Sequence, residues 1–224
     1  MYQYKIRHTL EGFAKATKDQ LLTKEQLAAA QVVKANNLSS SYIQNKGGVK
    51  FEMTPLPIEA QFSVLNGMQV DDFDGDGNLD VLINGNDYGT EVSVGRYDAL
   101  NGLLLKGNGQ GQFSALSILE SGIFIPGNGK ALVKLRGASG NYLMAASQNR
   151  GPLKVYTLKK KTSILNILPK DASAIIEFVN GKKRKEEFYF GNSFLSQSAR
   201  FMSYNEQVKQ ITITDQNGVS RKSN

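Results

Sequence analysis

The spacing of apolar positions changes twice along the chain. Leu27, Ala30 and Val33 recur three residues apart, the period of one helical face. Thr23 and Gln26 stand ahead of them in capping-box spacing. This pattern predicts a helix over residues 23–36, ended by Asn36-Asn37. Beyond Ser39 the apolar runs shorten and Gly/Asn turns separate them, which predicts strands. From about Thr162 the pattern changes again. Residues 174–179 and 187–190, joined through Asn180-Gly181, predict a hairpin, and residues 208–214 alternate with period two up to the turn Asp215-Gln216-Asn217-Gly218.

Within the middle stretch one turn recurs. Asn45-Lys-Gly-Gly-Val-Lys50-Phe51 aligns with Gly107-Asn-Gly-Gln-Gly-Gln112-Phe113 and with Asn149-Arg-Gly-Pro-Leu-Lys154-Val155. Each follows a strand-like run, at residues 41–43, 103–105 and 142–144. A glycine turn followed by an apolar residue is what a hairpin returning to a core requires. Equivalent positions are 62 residues apart (51 to 113) and then 42 (113 to 155). About 40 to 50 residues per unit suits a four-stranded propeller blade. The longer interval contains residues 84–101, which read as a loop insertion. The expected fold is therefore all-β: a partial β-propeller of two to three blades over residues 39–160, after an N-terminal helical segment (1–38) and before a small C-terminal β domain (161–224).

Composition narrows the chemistry. With 224 residues, 40% hydrophobic and 21% charged, the chain can bury a core. It has no cysteine, which removes disulfides, thiolate catalysis and cysteine-ligated zinc. Its one histidine, His8, reads as a solvated surface residue, so histidine triads and multi-histidine metal sites are excluded. The formal charge is +7, concentrated toward the C-terminus, with Lys182-Lys183-Arg184-Lys185 the densest run. That run admits an anionic partner such as nucleic acid, or a solvated turn after Asn180-Gly181. No aromatic platform of the single-strand-binding kind interleaves it, which favours the turn. No apolar run approaches the ~20 residues of a membrane helix, so membrane insertion is not expected. The start of the chain lacks the apolar core of a signal peptide.

The chemistry-bearing segment is Asp72-Phe-Asp74-Gly-Asp76-Gly77-Asn78-Leu79-Asp80, set between the strand-like runs 68–70 and 81–83. Carboxylates fall at relative positions 1, 3, 5 and 9, with glycine at 6. Oxygens at alternating positions converge on one hard cation if the backbone curls, and the carbonyl of Asn78 is placed as a fifth ligand. All-oxygen coordination with several charges suits Ca²⁺ better than magnesium, which keeps its waters. An EF-hand opens the same way but needs a bidentate Glu at position 12, where Ile83 stands, and flanking helices. Aligning Gly140-Asn141 on Gly77-Asn78 puts Leu135, Gly137, Ser139 and Leu143 at the four carboxylate positions, so one metal site is expected and not two.

These residues resemble the FG-GAP or VCBS-type repeat, the blade of bacterial surface propellers and of integrin α-subunit heads. The resemblance covers about residues 39–158 and rests on the Asp loop and the Asn/Gly turn; the literal Phe-Gly and Gly-Ala-Pro signatures are absent. It implies a structural calcium ion held by Asp72, Asp74, Asp76, Asn78 and Asp80. The segment from Phe190 to Arg200 resembles the small C-terminal module of the ASPIC/UnbV type, which follows such repeats in exported proteins of Bacteroidetes-like bacteria. Together they imply an extracellular or outer-membrane surface protein, exported as part of a longer chain.

No P-loop, dinucleotide fingerprint or nucleophile elbow is present, and one cation would absorb all four loop carboxylates, so no catalysis is expected. The insertion carries two Tyr/Asp clusters, Asp87-Tyr88 and Arg96-Tyr97-Asp98, suited to a protein or sugar surface or to packing among themselves. The expected role is a non-catalytic calcium-stabilised binding or scaffold module whose partner is another protein or a surface glycan. Self-association, or pairing with the rest of a longer chain, is open because two to three blades do not close a propeller. The alternatives are a glycan-binding accessory protein of polysaccharide uptake and nucleic-acid binding through the basic C-terminal part.

Overall fold

The computed structural model describes residues 9–160, 162–191 and 196–223. His8, and residues 192–195 of the segment running from Phe190 to Arg200, lie outside the described residues. The chain forms two compact units, Met1–Leu38 and Ser39–Asn224.

The first unit carries three short helices: α1 (Leu10–Lys15), α2 (Lys18–Leu21) and α3 (Lys24–Ala29). The capping box at Thr23 is formed in both directions, with Gln26 N donating to Thr23 Oγ1 (3.2 Å) and Thr23 N donating to Gln26 Oε1 (2.9 Å). The helix nevertheless stops at Ala29, not residue 36, and Ala30 is already extended. None of the three helices buries a residue. Without a surface to cover, the apolar side chains gain nothing from further turns, and so short an isolated helix is marginal. The β-branched pair Val32 and Val33, 77% and 83% exposed, adds a propensity penalty.

The second unit is all-β and antiparallel. Strands β1 (Ser41–Gly47) and β2 (Lys50–Pro55) form a hairpin. Strands β3 (Leu65–Asp71), β4 (Asp80–Gly85), β5 (Leu103–Gly107) and β6 (Phe113–Leu116) form a four-stranded meander in chain order. After the short helix α4 (Ile118–Ser121), strands β7 (Gly129–Arg136), β8 (Tyr142–Gln148) and β9 (Lys154–Thr157) form a three-stranded one. Strand β4 is buried along its whole length, and alternation sends its residues both ways. Val81 and Ile83 join Leu103 and Leu105 in one core, with Phe113 against them. Leu82 joins Leu132, Tyr142, Met144 and Phe201 in another.

All three recurring turns are hairpin turns, but they are not equivalent. Residues 108–112 join the third and fourth strands of their sheet, whereas 149–153 join the second and third of theirs. The loops holding Gly77-Asn78 and Gly140-Asn141 both join a first strand to a second. Sheet position therefore supports the Asp-loop alignment, and places Val155 one strand earlier than Phe113.

The C-terminal strands are β10 (Ser163–Asn166), β11 (Asp171–Phe178), β12 (Lys183–Glu187), β13 (Phe201–Tyr204), β14 (Val208–Asp215) and β15 (Ser220–Ser223). Four of them form a sheet in the order β12-β11-β14-β15, and β10 pairs with β13. A hairpin through Asn180-Gly181 and the final strand are present, but the hairpin's second strand is Lys183–Glu187 and not 187–190, because the tight turn returns the chain at once and puts the basic run on the strand. Nor do these strands stand apart. Pair β10–β13 is the wall between two cores: Ile164 and Phe201 face the core of β4, β7 and β8, while Leu165 and Met202 face Ile176, Phe178, Ile211 and Ile213. Removing either part would strip apolar surface from the other.

The corner before β11 is fixed by charge. Arg221 makes two contacts of 2.5 Å to the fully buried carboxylate of Asp171, and Leu168 N donates to it at 2.8 Å. The hydrogen bonds from Arg221 hold the Asp171 carboxyl below the usual carboxylate range, against the effect of burial. Asp171→Asn should cost about 2 kcal/mol at neutral pH, because bonds to a charged partner are lost. A lowered folded pKa contributes stability above the unfolded value of ~3.9 and loses it as pH falls through the folded one. Urea unfolding of both proteins between pH 7 and pH 3 should therefore show the difference closing with acid; a constant difference would refute this account.

Candidate metal centre

The loop after β3 is held from below by Asp71, which is 5% exposed. Its carboxylate accepts from Tyr142 Oη on β8 (3.0 Å), from Ser203 Oγ on β13 (3.0 Å) and from the backbone N of Asp72 (2.9 Å), and Lys134 Nζ on β7 lies 3.6 Å away. One buried carboxylate thus joins three separate sheets. Burial, then the nearby Asp71 charge, pushes the Tyr142 phenol well above its usual value, so it stays a donor.

Asp80, at the start of β4, closes the loop. It is 2% exposed and accepts from Phe73 N (3.0 Å) and from Gly107 N on β5 (2.9 Å). Glycine is required at 107 because a Cβ there would lie 2.1 Å from the Leu79 carbonyl oxygen. Inside the loop, Gly77 N donates to Asp72 (2.9 Å), Asp76 N to Asp74 (3.0 Å) and Asn78 N to Asp76 (2.8 Å). Gly77 has φ of 87°, the left-handed bend that its place in the motif predicts.

This folding brings Asp72, Asp74 and Asp80 together, with one oxygen of each within 4.8 Å of the others. Asp76 is turned aside: its carboxylate lies 3.2 Å from Lys106 Nζ, which also bonds Asp74. The Asn78 side chain accepts from Lys182. Burial raises the pKa values of Asp72 and Asp80, opposed at Asp72 mainly by Arg184 and at Asp80 mainly by Gly107 N. Asp76 is lowered, because the Asn78 and Lys106 bonds outweigh its burial. Asp72 Oδ1 is buried and has no hydrogen-bond partner.

The basic run closes over this loop. Strand alternation sends Lys182 and Arg184 toward it, where Arg184 Nη1 donates to the Gly77 carbonyl (3.0 Å) and lies 3.7 Å from Asp72. Lys183 and Lys185 pair instead with Glu177 (3.7 Å) and Glu187 (2.5 Å). Lys160 donates to the Asp74 carbonyl, and Asn205 Nδ2 to that of Gly75 (3.2 Å). Sequence reasoning missed Asp71, Lys106 and Arg184 as parts of the site. The signal for Arg184 was its alternation with Lys183 and Lys185 beside an Asn-Gly turn.

The insertion residues engage one another. Asp87 and Tyr97 exchange two backbone hydrogen bonds of 2.9 Å, Arg96 stacks 4.8 Å over the Tyr88 ring, and Asp87 accepts from Gly89 N (2.9 Å). Asp98 is exposed beside them. At the base of the insertion sits Asn86, fully buried with φ of 85°. Its side chain donates to the carbonyls of Leu100 (2.7 Å) and Gly127 (2.8 Å) and accepts from Leu100 N (3.0 Å). Among the described residues no helix is long and apolar enough to cross a membrane. No family model matches the chain, and no curated protein matches it.

Asp71→Ala would strand two buried hydroxyls and take one carboxylate from the Lys134 ammonium, and should cost about 3 to 5 kcal/mol. Tyr142→Phe removes one bond and should cost about 1 kcal/mol. Chemical denaturation checks both, and similar losses in the two variants would contradict the role of Asp71 as a shared anchor.

Proposed function

We propose that residues 72–80 form a structural calcium loop in a non-catalytic scaffold module of β-propeller type. The observation that carries this is the convergence of Asp72, Asp74 and Asp80 together with the unpartnered, buried Asp72 Oδ1. A buried carboxylate oxygen without a donor is costly, and like charges this close raise each other's energy. A hard cation with oxygen ligands removes both costs. Asp72, Asp74 and Asp80 would hold it, with Asp76 and the Asn78 carbonyl completing the set after the Asp76 side chain turns inward. The ion would supply charge neutralisation and a fixed loop shape.

The propeller reading is supported by the meander β3–β6, which has an apolar core on each side. On this reading β1–β2 and β7–β9 are parts of neighbouring blades, and the module belongs to an exported surface protein resembling FG-GAP and VCBS proteins. A scaffold role is preferred to glycan binding because Arg96 stacks on the Tyr88 ring and the Asp87 carboxylate already accepts from Gly89 N. It is preferred to nucleic-acid binding because Lys182 to Lys185 each already have a partner within the fold.

Calorimetric titration of calcium into chelator-treated protein should show one site per chain, with a Kd of roughly 10⁻⁴ to 10⁻³ M as in extracellular calcium modules. At about 100 times Kd, calcium should add about 2.7 kcal/mol of stability. Asp72→Asn and Asp74→Asn should weaken binding at least about tenfold, since each removes a charged ligand. Wild-type protein that neither binds calcium nor melts higher with it would end this proposal.

A further inference from the structure

Among the described residues four cationic side chains surround the loop, and they do different things. Lys160 and Arg184 donate to loop carbonyls, and Lys182 to the Asn78 side-chain amide. Arg184 also approaches one loop carboxylate, that of Asp72, at 3.7 Å, and Glu186 on its own strand at 3.6 Å. Lys106 alone among them bridges two carboxylates of the loop itself, Asp74 and Asp76. These stand at the third and fifth positions of the loop, so Lys106 occupies oxygens that an oxygen-ligated cation would use.

We propose that Lys106 is a built-in competitor for the cation, holding Asp74 and Asp76 when calcium is scarce and yielding them when calcium enters. The inference rests on the calcium reading above and extends it to what sets the affinity. A lysine ammonium is a compact single charge on a flexible stem. It can tether two carboxylates, but here it leaves Asp72 Oδ1 without a partner. The Lys106 side chain is 41% exposed, so its stem can swing into solvent without opening a core. Its backbone stays in place, because strand β5 is fixed by pairing with β4 and β6 and Gly107 N still holds Asp80. The exchange trades one positive charge for two at the same oxygens.

This role gives a signature of two opposite signs. Without calcium, Lys106→Met removes the tether and leaves Asp74 and Asp76 repelling, so the melting temperature in chelator should fall. With calcium, the same substitution removes the competitor, so Kd should tighten by about tenfold, the order expected for deleting a unit charge beside a partly solvated divalent site. Lys106→Arg keeps the charge and presents a fork better matched to carboxylates, so its Kd should not tighten. The experiment measures melting in chelator and calcium Kd by calorimetry for wild type, Lys106→Met and Lys106→Arg. A purely structural lysine would lower both stability and affinity in the methionine variant, and that result, or an unchanged Kd, would overturn the inference. Absence of binding in all three proteins would remove the calcium reading and this inference with it.

Discussion

Five carboxylates fall within ten residues at the end of β3, and the fold must supply positive charge and donors to them all. Asp71 and Asp80 are buried outright. Neither carboxylate could be buried there without the hydroxyls, amides and ammonium aimed at it. Those donors come from β5, β7, β8 and β13, so satisfying one short segment fixes the relative positions of several sheets. Among the described residues, Lys106 stands at ion-pair distance from Asp74 and Asp76, and Arg184 from Asp72 and Glu186, so the carboxylates outnumber the cations beside them.

The same constraint explains why the C-terminal strands are not an independent domain. Ser203 and Arg184 reach Asp71, Asp72 and Gly77 across more than a hundred residues of chain. The apolar side repeats this arrangement, because β13 turns Phe201 into one core and Met202 into the other. Polar and apolar contacts thus run through the same two-stranded wall. Unfolding the C-terminal strands alone, β13 included, would open a buried carboxylate and two cores at once, which predisposes the second unit to unfold as one piece.

What was legible in the sequence was local. The capping box at Thr23, the Asn-Gly turn at 180–181 and the alternation of β14 each involve residues a few positions apart, and each formed; of the four loop carboxylates, Asp72, Asp74 and Asp80 come together and Asp76 does not. The end of the first helix was not legible, because it depends on whether anything covers Leu27 and Val33, and nothing buries them. The phase of the repeated turn was also hidden. A glycine turn followed by an apolar residue serves any hairpin, and strand position within a sheet is not written in the turn. The partners of Asp71 lie 71 and 132 residues away, and no spacing rule reaches that far.

The basic run shows how the same residues can be misjudged in one dimension. Four consecutive cations read as a patch, but a strand sends successive side chains to opposite faces. On β12 and its turn this splits the run into pairs, one toward the Asp loop and one toward Glu177 and Glu187. A phosphate backbone binding here would have to displace internal carboxylates or carbonyls at each position, and every displaced group would need a new donor. The pairs facing Glu177 and Glu187 are exposed, where such exchange costs little. Arg184 is different: its side chain is 12% exposed, with Asp72, Glu186 and the Gly77 carbonyl as partners. Its charge is committed within the fold, and the run's resemblance to an anion-binding patch is a product of reading it along the chain and not across the strand.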